Sequence, residues 1–224
     1  MNMSDLMKHV RIIDVETTGT EDDDQIVEIA SVDWTQDGLG NAHQTLVRPS
    51  IKIPPEVSAV HHITNAMVKD APVVLDALKW FQDAKVFAAH NAKFDQRLLG
   101  FDAYWVCTYK CALHIWPDAP NHKNQTLRYW LDLASPPASA GLMAHRALYD
   151  AWTTAHIFVR LTEEMTINDM VQISNRPAIL PRFYFGKHAN EPLSEVPKSY
   201  LSWMITQDFD EDILHTAKHY LEQN

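Results

Sequence analysis

The sequence predicts an α/β fold followed by a small C-terminal appendage, over 224 residues in all. Three observations predict it. Short runs rich in Val and Ile alternate with stretches whose apolar residues recur at helical spacing, as expected when strands and helices interleave. The length suits one α/β unit plus an addition. Finally, the composition changes after about residue 165: no acidic residue stands between Asp169 and Glu191, a window that holds Arg176, Arg182, Lys187 and His188. The expected units are therefore 9–165 and 166–224.

Residues 10–17, 25–34 and 42–49 read as three consecutive strands, and Pro54-Pro55 ends the third. Helical turns follow over 56–68, with a short helix from Val73 to Asp83. Lys85 to His90 reads as a fourth strand, parallel to the first, and Val106 to Thr108 as a short fifth. Helices are expected near 109–115, 124–132 and 146–165. The last carries an apolar stripe of Leu148, Ala151, Trp152, Ala155, Phe158 and Val159. Ser135 to Gly141 has the composition of a loop. It reads either as a plain linker or as a mobile segment that brings the following His145 into a site.

Asp14 and Glu16 carry the strongest chemical signal. They sit in the apolar run Val10 to Thr17. Residues two apart on a strand share a face, about 6–7 Å from each other. Two carboxylates side by side on a core strand repel, and burying them unpaired is costly. A hard divalent cation relieves both problems, and oxygen ligands of this kind suit Mg²⁺ or Mn²⁺. Asp95 falls in the first turn of a helix that Asn91 is placed to cap. His145 opens the helix that carries Asp150.

Asp14-x-Glu16, Asn91-x-x-Phe94-Asp95 and His145-x-x-x-x-Asp150, in this order, resemble the three motifs of the DEDD 3′→5′ exonucleases. The histidine five residues before the last aspartate marks the DEDDh, or DnaQ-like, branch. His61-x-Ile63-Thr64 is similar to a further element of that branch. The resemblance covers about residues 9–165. Ile26 to Asp33, Ala89 to Ala92, and the tail segments Asn175-Arg-Pro, Phe185-Gly-Lys and Lys218 to Glu222 resemble one tailed subgroup within it.

The resemblance implies a ribonuclease-H-like mixed five-stranded sheet flanked by helices, and a two-metal-ion phosphodiester hydrolase. Asp14, Glu16, Asp95 and Asp150 are then the ligands of two Mg²⁺ ions, with Mn²⁺ as substitute, and His145 is the general base for the attacking water. Thr17, His61 and Asn91 would contact substrate. The implied substrate is DNA with a 3′ end, single-stranded or at a duplex terminus, shortened to nucleoside 5′-monophosphates in repair or recombination. The alternatives are an RNA-directed or polymerase-proofreading exonuclease, or a catalytically dead binding module, which the intact set of five chemical groups argues against.

Arg182 and Lys187, interleaved with Phe183, Tyr184 and Phe185, suit phosphate contact and base stacking. The competing expectation is that these aromatics only pack the appendage onto the main unit. Glu21 to Asp24 reads as a solvated acidic loop. A net charge of −10 argues against broad nonspecific coating of DNA, although a metal site attracts phosphate locally. Two cysteines are too few for a disulfide framework and point to a reduced, cytoplasmic setting. The start, Met1 to Lys8, lacks the apolar core of a signal peptide, and no apolar run is long enough to span a membrane. Protein partners are not legible.

Overall fold

The structure, a computed structural model, describes residues 7–137 and 143–223. The start of the chain read above for a signal peptide, the 138–142 part of the loop before His145, and Asn224 lie outside the described residues.

Five strands form one mixed sheet: β1 (His9–Thr17), β2 (Ile26–Thr35), β3 (Gly38–Leu46), β4 (Val86–Ala89) and β5 (Tyr104–Cys107). Their spatial order is β3-β2-β1-β4-β5. The first three run as an antiparallel meander, and β4 and β5 lie parallel to β1. The helices are α1 (Pro55–His61), α2 (Asn65–Val68), α3 (Val74–Leu78), α4 (Lys93–Leu99), α5 (Thr108–Ile115), α6 (Asn124–Trp130), α7 (Ala147–Thr162), α8 (Ile167–Ser174), α9 (Lys198–Met204) and α10 (Glu211–Glu222).

Alternation along β1 divides the core. Val10 and Ile12 face α7 and pack with Ala151, Ala155 and Phe158. Ile13 and Val15 face the opposite layer, with Phe81, Phe87 and Leu99. Asp14 and Glu16 continue the Val10–Ile12 stripe, so they emerge on the α7 face toward the C-terminal end of this central strand. Alanines at the buried α7 positions 147, 151 and 155 allow close approach to the sheet.

The third strand begins four residues before the expected 42 and ends at Leu46. Gly38, at φ +122°, permits the tight turn out of β2. Backbone pairing then carries the Gly-rich residues 38–42 despite their weak strand preference, because β2 supplies the partners. The fifth strand likewise begins earlier, at Tyr104, paired to Val86.

The C-terminal segment holds its own cluster, centred on Phe183, Leu193, Leu201 and Met204, and it docks on Leu113 and Tyr109 of α5. The preceding α8 packs instead into the main core through Ile167, Met170 and Val171. Cys107 and Cys111 are buried and unpaired. Among the described residues no helix is long and apolar enough to cross a membrane.

Candidate active site

The end of β1 and the first turns of α7 bring Asp14, Glu16 and Asp150 together. One ligand oxygen from each lies within 4.8 Å of the others. Asp95 reaches the same region from α4 and is buried, with 4% of its surface exposed. Among the described residues no Lys or Arg forms an ion pair with any of these four carboxylates. Burial, and then repulsion from Asp150, Asp95, Glu16 and Glu28, pushes Asp14 well above the usual carboxylate range. Burial and the neighbouring Asp150 and Glu28 push Glu16 up to about 8, although Arg146 opposes the shift. Burial raises Asp95 to about 8 as well. Asp150 is raised by burial, moderated by its hydrogen bonds.

This donor set fits a hard divalent cation. It is all oxygen, lacks thiols and imidazoles, and is short of positive charge. Binding would replace the protons these groups otherwise retain.

The orientation of Asp150 is fixed from both sides. Its carboxylate accepts from the His145 backbone N–H at 2.9 Å and from Gln125 Nε2 at 2.8 Å. Asn124 supports the same turn by donating to Thr154 Oγ1 at 2.6 Å. His145 holds a left-handed backbone conformation, φ +64°, immediately before α7, and its side chain is exposed. The imidazole lies close enough to Asp150 to act on its charge, and among the described residues neither ring nitrogen makes a hydrogen bond.

Glu16 and Glu28 lie directly opposite each other in the β1–β2 ladder. Like charges so placed destabilise a sheet. Arg146 resolves the conflict from the start of α7: its Nε donates to Glu28 at 3.0 Å, and the Ala147 N–H donates to the same carboxylate at 3.0 Å. Glu28 therefore joins β2 to the N-terminus of the helix that carries Asp150, where a negative charge is favoured.

The exonuclease family profile matches residues 12–158, which span all of these side chains. The chain belongs to the exonuclease family. It is 37% identical over 223 aligned residues to Exodeoxyribonuclease 10 of Escherichia coli strain K12, an alignment covering 95% of this chain and 99% of that protein. It is 30% identical to the DNA polymerase III subunit epsilon of Treponema pallidum, over 66% of this chain and 74% of that one. Among solved structures it is similar to Exonuclease X in complex with 5′-overhanging duplex DNA. There the TM-score is 0.68 and the identity 38%, over 74% of this chain and 99% of that one. The mixed sheet flanked by helices is the ribonuclease-H-like fold of these exonucleases.

The remaining candidates fall in two places. Thr17 and His61 meet at the end of β1. His61 Nδ1 accepts from the Ile63 N–H at 2.9 Å, so Nε2 carries the proton and donates to the Thr17 carbonyl at 3.2 Å. Burial lowers the pKa of this ring. Both nitrogens are occupied by backbone and the residue is 1% exposed, which suits packing over direct contact with substrate. Asn91 does not cap α4 as expected. It sits at φ +66° one residue before Ala92, which is the N-cap and makes no side-chain cap. An Asn tolerates this left-handed position, and its side chain is left exposed at the mouth of the site. His90 bonds Thr108 Oγ1 and the His122 carbonyl, consistent with support rather than ligation.

Arg182 and Lys187 lie in the appendage, apart from the carboxylate cluster. The Arg182 Nε is buried without a partner, and Lys187 is exposed. Phe183 is buried while Tyr184 and Phe185 stay partly exposed, so the aromatic run is split between packing and surface. The acidic loop is solvated at Glu21, Asp22 and Asp23, which are exposed, as expected. Asp24 turns inward to accept from Thr18 Oγ1 at 2.6 Å and the Glu21 N–H at 2.8 Å, and Asp22 pairs with Arg97 at 3.0 Å. Gln125, Glu28 and Arg146 were not singled out from the sequence as parts of the site.

Proposed function

We propose that this chain is a metal-dependent 3′→5′ exodeoxyribonuclease that releases nucleoside 5′-monophosphates from DNA 3′ ends. The observation that carries the reading is the convergence of Asp14, Glu16 and Asp150, with Asp95 alongside, in a family member alignable over nearly its whole length with Exodeoxyribonuclease 10. Asp14, Glu16, Asp95 and Asp150 hold two Mg²⁺ ions, replaceable by Mn²⁺. When bound, such ions neutralise charge developing at the scissile phosphate and acidify the attacking water.

The chain's own groups do the rest. His145 takes the proton of the attacking water at a ring nitrogen, a task suited to an imidazole working near neutral pH. Its backbone N–H meanwhile steadies Asp150. Gln125 keeps the other Asp150 oxygen in place. Thr17 and Asn91 line the approach of the terminal nucleotide, with His61 packed behind Thr17. The unit 9–165 carries the chemistry, and the segment 166–224 contributes nucleic-acid contacts through Arg182 and Lys187. Two buried, unpaired cysteines support a reduced cytoplasmic setting, and activity on DNA ends supports a role in repair or recombination.

The deciding experiment incubates labelled DNA and RNA oligomers with Mg²⁺, then with excess EDTA. Stepwise loss from the 3′ end of DNA, with 5′-monophosphate products, is expected. Full activity in EDTA or products ending in 3′-phosphate would overturn the two-metal mechanism, and preference for RNA would overturn the substrate.

A further inference from the structure

A cleft of about 680 Å³ opens between the main unit and the appendage. One wall is Asn91 to Lys93, which leads directly into Asp95 on α4. A second is His122 and Lys123, which leads into Asn124 and Gln125 and so to Asp150. The third comes from Arg176 and the start of α10. The cleft therefore adjoins the elements that position two of the four carboxylates.

We propose that this cleft is the track for single-stranded nucleic acid 5′ of the scissile phosphate, with Lys93, Lys123 and Arg176 holding its phosphates. The inference rests on the exonuclease reading above and adds where the strand runs.

Charge supports it. The chain carries a net −10, yet the side chains of Lys93, Lys123 and Arg176 make no ion pair or hydrogen bond among the described residues. Unpaired cations gathered in a groove of an acidic protein focus its local field on anions. The fourth cation there is already engaged: Lys110 donates to the Arg176 carbonyl at 2.7 Å and pairs with Asp212 at 3.5 Å. Two of the acids on the α10 side are engaged as well. Asp212 also accepts from the Ala178 N–H, and Asp210 caps α10 through the Asp212 N–H. Asp210 and Glu211 keep their negative charge and repel phosphate, which places the strand on the Lys93–Lys123 side.

The floor supports it too. Trp105 and His122 line the cleft, are 4% and 2% exposed, and each has one ring nitrogen with no hydrogen-bond partner. Trp105 Nε1 is a donor. His122 Nε2 already contacts the Trp116 carbonyl at 2.9 Å and so carries the proton, leaving Nδ1 as an acceptor. Each is a buried polar atom without a partner directly beneath the cleft wall, which an ordered water reaching in from a bound strand would satisfy. The volume lies within the range of about 300–1,000 Å³ typical of small-ligand pockets, enough for a nucleotide or two of a single strand and too little for a duplex.

The test uses the full chain with Lys93→Gln, Lys123→Gln and Arg176→Gln combined. Binding of a 12-nucleotide oligothymidylate is measured by fluorescence anisotropy in Ca²⁺ across a salt series. Turnover of this oligomer, and of the p-nitrophenyl ester of thymidine 5′-monophosphate, which has no upstream nucleotide, is measured in Mg²⁺. Three lost single-strand contacts should lower the slope of log K against log salt by about 2, while turnover of the ester stays within about twofold of wild type. An unchanged slope overturns the track, and so does an equal loss on ester and oligomer, which would mark a general disturbance of the fold. If the wild type is active on both substrates and the variant keeps its slope, the track alone fails. If the wild type turns over neither, the exonuclease reading fails and the track with it.

Discussion

The two ends of β1 handle buried charge in opposite ways. At one end Arg11, 5% exposed, lies directly opposite Asp33 and bonds it at 2.8 Å. It also meets Asp83 and donates to the Phe81 carbonyl at 2.9 Å. Burial alone would lower the pKa of this guanidinium, but Asp33 and Asp83 more than reverse the effect. At the other end, three and five residues on, Asp14 and Glu16 face further carboxylates and, among the described residues, have no cation paired to them. A matched buried charge is architecture: it closes its own account of hydrogen bonds and needs nothing more. An unmatched cluster on the same strand is unstable as it stands and becomes favourable only with a ligand that brings positive charge. The contrast sets a cluster able to hold a metal ion at one end of a single strand and a satisfied ion pair at the other.

The sharpest way to break this contrast is Asp14→Asn. Activity should fall by about 10³-fold or more, because several kcal/mol of metal-borne charge stabilisation are lost at roughly 1.4 kcal/mol per tenfold. The metal-free melting temperature should rise, by about 2–4 °C for each kcal/mol of relieved repulsion. Single-turnover rates and thermal scans on the same preparation decide it, and a drop in both would mean that Asp14 is a structural acid.

His145→Ala comes next. Losing a general base costs about 10²- to 10⁴-fold in rate, while Mn²⁺ affinity, read by calorimetry, should stay near wild type. Equal loss of Mn²⁺ affinity in this variant and in Asp14→Asn would show that the histidine belongs to the ligand set.

Arg11→Met tests the opposite end. It leaves Asp33 with only His9 Nε2, 3.3 Å away, and should cost about 3 kcal/mol of stability, measured by urea unfolding. The folded fraction should keep its kcat. A stable variant with impaired turnover would erase the division between the two ends.

The smallest effect is a pH dependence. Glu16 and Asp95, at about 8, retain protons in the fold that the unfolded chain releases near pH 4 to 4.5. Unfolding therefore releases protons between those values, and the metal-free protein loses stability as pH climbs through about 8. Mg²⁺ removes the penalty by taking the deprotonated ligands. Its stabilising shift in melting temperature should be larger at pH 8.5 than at pH 6, by a few degrees. A shift independent of pH would mean that the carboxylates are already ionised without metal.

What the sequence disclosed and what it hid follow one physical division. Asp14 and Glu16 were readable because strand alternation is local: parity alone puts them on one face. Asp95, His145 and Asp150 were readable through short spacings within or just before helices. Gln125 and Glu28 touch the Asp150 helix across 25 and 118–119 residues of chain, and no local pattern announces such a contact. Asn91 looked like a cap because its residue type favours one, yet the chain turns left-handed there and passes the N-cap to Ala92. The early start of β3 was hidden because its first residues have little strand preference of their own and take their pairing from β2.

The link from Glu28 to Arg146 and Ala147 also bears on how the protein comes into being. The chain emerges from synthesis N-terminus first, at about 5–20 residues per second. Asp14, Glu16 and Glu28 are made early, but the helix start that Glu28 anchors lies 118 residues further on. A contact of that sequence separation forms late, because the intervening chain must first be ordered. A nascent or truncated chain ending before this point lacks Asp150 and His145 together. Such a chain holds Asp14, Glu16 and Glu28 but cannot assemble the carboxylate cluster, so the cluster requires synthesis to pass Asp150.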